Sequence, residues 1–87
     1  MNKDRILNIE KKLTDSFSPD HLVIKDQSHL HTGHHGAKKG LGHYEIIITS
    51  KIFQKLNRVE CHRLIFESLG EMMVTDIHAL KIKITND

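Results

Sequence analysis

A chain of 87 residues has room for one domain, expected here to span 1–87, and for a thin core in which each apolar position counts. Hydrophobic residues make up 38% and charged residues 28%, and the net charge is +2 with histidines neutral; this balance suits a soluble globular domain and lacks the concentrated basic stripe of an obligatory nucleic-acid binder. No stretch approaches the roughly 18 apolar residues of a membrane span, the charged start Met1–Arg5 is unlike a secretory signal, and the lone Cys61 excludes an internal disulfide, so a cytoplasmic, reducing location without a membrane partner is expected.

In chain order, residues 2–17 read as an amphipathic helix. Ile6, Ile9, Leu13 and Phe17 fall at helical spacing, Leu7 widens the stripe, and Lys3, Arg5, Lys11 and Lys12 take the polar side. Asn2 is the expected N-cap, and Pro19 ends the helix because the residue before a proline is driven out of the helical region. His21–Lys25 is a short β-branched run, hence a strand. From Gln27 to Gly42 the apolar pattern stops and a mobile Gly/His-rich loop is expected. Tyr44–Thr49, with three consecutive isoleucines, reads as the central strand. A second helix is expected after Asn57, which with Glu60 forms an asparagine variant of the capping box, and its buried stripe is Cys61, Ile65, Leu69 and Met72, flanked by Leu64 and Met73. Ile77–Ile84 alternates with period two, Leu80, Ile82 and Ile84 inward and Lys81 and Lys83 outward. The order α-β-β-α-β predicts an α+β fold: a three-stranded mixed sheet, its first two strands antiparallel, its last parallel through a right-handed crossover, with both helices on one face.

The chemistry-bearing excess is eight histidines against one tyrosine, three phenylalanines and no tryptophan. In His29-Leu30-His31-Thr32-Gly33-His34-His35-Gly36, four imidazoles share a glycine-loosened backbone able to hold a borderline metal, or they are simply the polar residues of a solvated loop. His78 opens the last strand on the parity of Leu80; His43 opens the central strand, and His62 lies in the first turn of the second helix. Each of these, taken alone, reads as a packed or surface residue. Cys61 reads as a small core residue, since Glu60 beside it opposes thiolate formation. No nucleophile motif, HExxH or phosphate-cradling loop is present, so no enzyme is expected and no small-molecule substrate is evident. Gly33-His34-His35-Gly36 matches the GxxG of KH domains, but it joins two expected strands and carries histidines where basic residues belong.

Asp26-Gln27-Ser28, the Gly/His loop, His43-Tyr44 opening a strand that ends Thr49-Ser50, Phe53, His62-Arg63-Leu64-Ile65 and Ile77-His78-Ala79-Leu80 together resemble the BolA-like family over about residues 5–84. That resemblance implies a KH-like fold of the class II type, and an adaptor that shares a 2Fe–2S cluster with a monothiol glutaredoxin in iron–sulfur assembly, trafficking or sensing. It further implies that the histidine of His-Ala-Leu is one ligand, here His78, and that one loop residue is the other, here His31 by its distance from Asp26-Gln27-Ser28, with His34 as rival. The chemistry agrees: such a cluster needs four ligands, and a chain with one cysteine must use imidazole and borrow thiolates. Two departures stand out. Phe53-Gln54-Lys55 replaces the family's Phe-x-Gly, and Cys61-His62-Arg63 replaces Arg-His-Arg. Two other readings are carried forward. One is a nucleic-acid-binding transcription regulator with DNA as partner, using Arg58, His62, Arg63, Lys81 and Lys83. The other is a histidine-loop Zn or Ni site without iron.

Overall fold

The computed structural model describes residues 2–28 and 42–86. Helix α1 (Asn2–Phe17) is followed by strands β1 (His21–Asp26) and β2 (Gly42–Thr49), a 3-10 turn (Lys51–Phe53), helix α2 (Arg58–Leu69), a short helix α3 (Met72–Thr75) and strand β3 (Ile77–Ile84). The sheet order is β1-β2-β3, with β1 antiparallel and β3 parallel to β2. The expected α+β architecture is therefore observed.

The central position of β2 follows from its isoleucines. Tyr44, Ile46 and Ile48 are at most 1% exposed and meet Ile9, Leu13 and Phe17 of α1 and Cys61, Ile65 and Leu69 of α2 in one core. The neighbours on that face of the sheet, Leu22, Ile24, Leu80, Ile82 and Ile84, are only partly covered. Both helices thus lie on one face, and the other, carrying Val23, Lys25, Lys81 and Lys83, is open. At about 0.8 kcal/mol per buried methylene, the three enclosed β2 side chains contribute together with the equally enclosed Ile9, Leu13, Ile65, Leu69 and Ile77.

Several expectations are corrected in detail. Leu7 is 57% exposed, because two residues before Ile9 is about 200° around the helix axis. Arg5 leaves the polar side and is half-buried, its Nε donating to Asp76 Oδ2 at 3.2 Å. Asn2 is the first helical residue and not a cap outside the helix. Helix α1 ends at Phe17, with Ser18 in the left-handed region (φ 42°) before Pro19. The second helix stops at Gly70 (φ 55°), so Met72 keeps its buried place in the stripe from a separate turn. Strand β2 starts at Gly42, two residues early, because the Gly42 N–H donates to the Asp76 carbonyl at 2.9 Å.

The capping box is present as expected: Glu60 N–H donates to Asn57 Oδ1 at 2.8 Å and Asn57 N–H to Glu60 Oε1 at 3.2 Å. Asn57→Ala is expected to cost about 1 kcal/mol, read as an earlier denaturation midpoint with an unchanged m-value. A midpoint equal to wild type would show that the cap carries no stability.

Candidate functional site

The β2–β3 ladder slips at its start. Gly42 lies opposite Ile77, but His43 lies opposite Ala79, which leaves His78 as the extra residue of a β-bulge. A bulge re-aims the side chain it carries. Ile77 turns into the core at 1% exposure, while the half-buried His78 sits against His43, ring centroids 5.0 Å apart and edge to face at 69°. His43 is itself 7% exposed. Parity alone places His78 with Leu80; the bulge breaks that parity.

The segment that carries the loop histidines leaves and returns at this pair. Asp26 Oδ1 accepts from Ser28 N–H at 2.9 Å, Ser28 Oγ accepts from His43 N–H at 3.0 Å, and Gln27 N–H donates to the His43 carbonyl at 2.7 Å. At its far end Gly42 is bonded to Asp76, two residues before His78. His31 and His34 lie outside the described residues.

The floor of the site is rigid. Tyr44, 1% exposed, lies over Gly42, where an added Cβ would meet its ring at 2.4 Å. Its hydroxyl sits beside the Arg5 guanidinium, which is paired with Asp76. Burial pushes the Tyr44 phenol above its ordinary pKa, and Arg5 pulls the other way, so the hydroxyl stays protonated at neutral pH.

What this end can do chemically is limited and specific. Two imidazoles, His43 and His78, lie side by side, and among the described residues no group of three or more histidine, cysteine or carboxylate side chains converges. The one thiol is no help. Cys61 is 2% exposed in α2, its Sγ 3.9 Å from the carbonyls of Phe53 and Leu56. Burial, with Glu60 adding to it, pushes its pKa up. Cys61 is therefore expected to react with a disulfide reagent at pH 8 only as fast as the protein opens, and prompt labelling of the native protein would contradict this placement. The residues present fit a four-ligand cluster only if the loop supplies a second ligand and another molecule the thiolates.

Four of the basic residues singled out from the sequence are neighbours. Arg58, His62 and Lys83 border a cavity of about 420 Å³ between α2 and the end of β3. Arg58 and His62 also adjoin Arg63 on the outer side of α2, near the exposed Val59 and Phe66. Lys81 is at the histidine end, near Gln27 and His43. His43, read from the sequence as a packed or surface residue, is buried, and its contact with His78 depends on a bulge that leaves no mark in the local pattern.

The profile of the family described as BolA-like protein matches residues 13–87. The chloroplastic BOLA1 protein of Arabidopsis thaliana is 37% identical over 83 residues, which cover 92% of this chain and 52% of that protein, so the chain spans about half of this relative's length. The DNA-binding transcriptional regulator BolA of Haemophilus influenzae is 34% identical over 74 residues, 85% of this chain and 69% of that one. Among solved structures, the BolA domain of SufE1 from Arabidopsis thaliana superposes with a TM-score of 0.82 at 33% identity, over 94% of this chain and 91% of that one.

Proposed function

The chain belongs to the BolA-like protein family, and from that premise we propose that it is an adaptor, not an enzyme, that shares a 2Fe–2S cluster with a monothiol glutaredoxin. The observation that carries this reading is the bulge that sets His78 against His43 at the end of the sheet where the histidine-bearing segment is anchored. His78 supplies one ligand and His31, or His34 in its place, the other, while the partner and its bound thiol supply sulfur. The cluster, when bound, provides one-electron and iron–sulfur transfer chemistry. The chain's own part is to hold an imidazole in a fixed orientation and to shield it on one side with the His43 ring. Imidazole in place of thiolate removes negative charge and raises the potential of the shared cluster relative to an all-thiolate one. The likeness to the BolA domain of SufE1 and to SufE-like protein 1, both of Arabidopsis thaliana, supports the family assignment.

The test is an absorption and circular-dichroism titration of this protein into cluster-loaded monothiol glutaredoxin. A new spectrum saturating at one equivalent is expected; an unchanged spectrum would sink the reading. Metal titration of the isolated protein separates it from a Zn or Ni site, which would fill without the glutaredoxin.

The second reading, a DNA-binding regulator, is favoured by the name of the Haemophilus influenzae relative. It predicts retardation of duplex DNA that falls steeply with salt and weakens in an Arg58→Ala/Arg63→Ala variant. Arg58, His62, Arg63 and Lys83 are neighbours and give it a basic surface, while Lys81 stands apart from them.

A further inference from the structure

Strand β3 closes the sheet on one side. Its ladder is made to β2 alone, so among the described residues one row of its backbone N–H and C=O groups has no strand partner. Such an edge is a template for another strand. Two features adjoin it. The inward side chains of β3 are incompletely covered: Ile82 and Ile84 are half-buried, whereas Ile46 and Ile48 beside them on β2 are 0% exposed. The uncovered space is the cavity of about 420 Å³, with Leu56, Cys61, Ile82 and Ile84 on its floor, Arg58 and Lys83 on its rim, and no carboxylate in its lining. On the opposite, open face of the same strand stand the exposed Lys81 and Lys83.

We propose that the Leu80–Ile84 edge is a docking site for an extended acidic segment of a partner protein, which adds to the sheet as a fourth strand. Side chains of an added strand alternate between faces. Those on the inner face enter the cavity and cover Ile82 and Ile84, so they are apolar. Those on the outer face come within about 5 Å of Lys81 and Lys83, the spacing of directly opposed cross-strand pairs, so they are acidic. The lysines also decide against a second copy of this chain, because edge-to-edge pairing sets like charges beside each other. A nucleic-acid strand would use the cations but leave the apolar floor and the edge amides unmatched. The site adjoins the histidine end at Leu80 and Lys81 and runs away from it, its far end Ile84 six residues beyond His78, about 20 Å. It goes beyond the cluster-sharing role and stands or falls separately from it.

The probe is a fluorescein-labelled peptide of eight residues, the length of β3, alternating aspartate with leucine. Saturable anisotropy is expected, with amide shifts in the ¹H–¹⁵N spectrum concentrated at Leu80–Ile84 and at Cys61 and His62. Lys81→Glu/Lys83→Glu should weaken binding by about tenfold or more, Lys81→Arg/Lys83→Arg should retain it, and the spectral dispersion of each variant reports that it is folded. A matched peptide with lysine for aspartate should not bind. No saturable binding, shifts mapping elsewhere, or indifference to the Glu variants would overturn the proposal. Displacement of the peptide from these residues by oligothymidylate at lower concentration would overturn it in favour of nucleic acid. None of these results alters the glutaredoxin titration, which reads His78.

Discussion

Replacing His78 with alanine is expected to abolish the shared-cluster spectrum while leaving the protein folded. The two effects separate because of where His78 sits. It is the extra residue of the bulge, so it has no direct partner across the ladder, and it is half-buried at the end of the sheet and not part of the core. Truncating such a side chain is expected to change stability by about 0.5 kcal/mol. Removing one of the two ligands this chain contributes leaves the cluster one short of its four, and the spectrum should revert to that of the glutaredoxin alone. An unchanged mixed spectrum in a folded His78→Ala protein would remove His78 from the site. His43→Ala makes an informative companion. His43 is 7% exposed and its ring packs on His78, so this variant should lower stability and broaden the cluster spectrum without eliminating it.

Gly42→Ala is expected to be the most damaging single-methyl addition in the described chain. A Cβ there would lie 2.4 Å from Tyr44 Cε2 and 2.5 Å from its hydroxyl oxygen. The ring cannot simply swing out. It is 1% exposed, and its hydroxyl shares the space beside Arg5 and Asp76. Relieving the clash must move either the ring or the start of β2, at a cost of about 1–3 kcal/mol. In a domain of this size that is a fall in Tm of roughly 10 °C. Thermal unfolding followed by circular dichroism checks the value. The cause is checked by a double-mutant cycle: in a Tyr44→Leu background the same Gly42→Ala change should cost much less, because the ring it strikes is gone. Equal costs in both backgrounds would place the strain elsewhere.

The architecture was largely legible in the residues. Ile46 and Ile48 of the three-isoleucine run announce the central strand, the alternation from Leu80 to Ile84 announces a half-covered one, and Asn57 with Glu60 marks the start of α2 two ways at once. What stayed hidden has physical reasons. The break at Gly70 is masked because Met72 keeps the helical spacing although the backbone turns through a positive φ first. The 3-10 turn Lys51–Phe53 is too short to show a period, and the packing of Phe53 on Phe17, ring centroids 5.0 Å apart, shows only in the fold. Arg5 reads as a surface cation until the long-range contact with Asp76, 71 residues away, gives it a partner.

Of the proposed site, His78 stands out in the sequence through its resemblance-bearing neighbours Ile77, Ala79 and Leu80, whereas its contact with His43 is a product of ladder register. Register slips of one residue are set by the whole sheet and not by any window of sequence. The anchoring of the loop by Ser28 and Gly42 is likewise a tertiary fact, made of one side-chain and one backbone hydrogen bond. His31 and His34 lie outside the described residues, and their proposed part in the site rests on the resemblance.

In the proposed function an imidazole of this chain binds iron in a cluster held jointly with a glutaredoxin. Pulsed electron paramagnetic resonance of the reduced complex, with this chain labelled by ¹⁵N-histidine and the partner unlabelled, reads that bond directly. A strong hyperfine coupling to ¹⁵N is expected. A reduced cluster in the complex that couples to no ¹⁵N would contradict it, and would leave this chain as a binder of the glutaredoxin that never touches its iron.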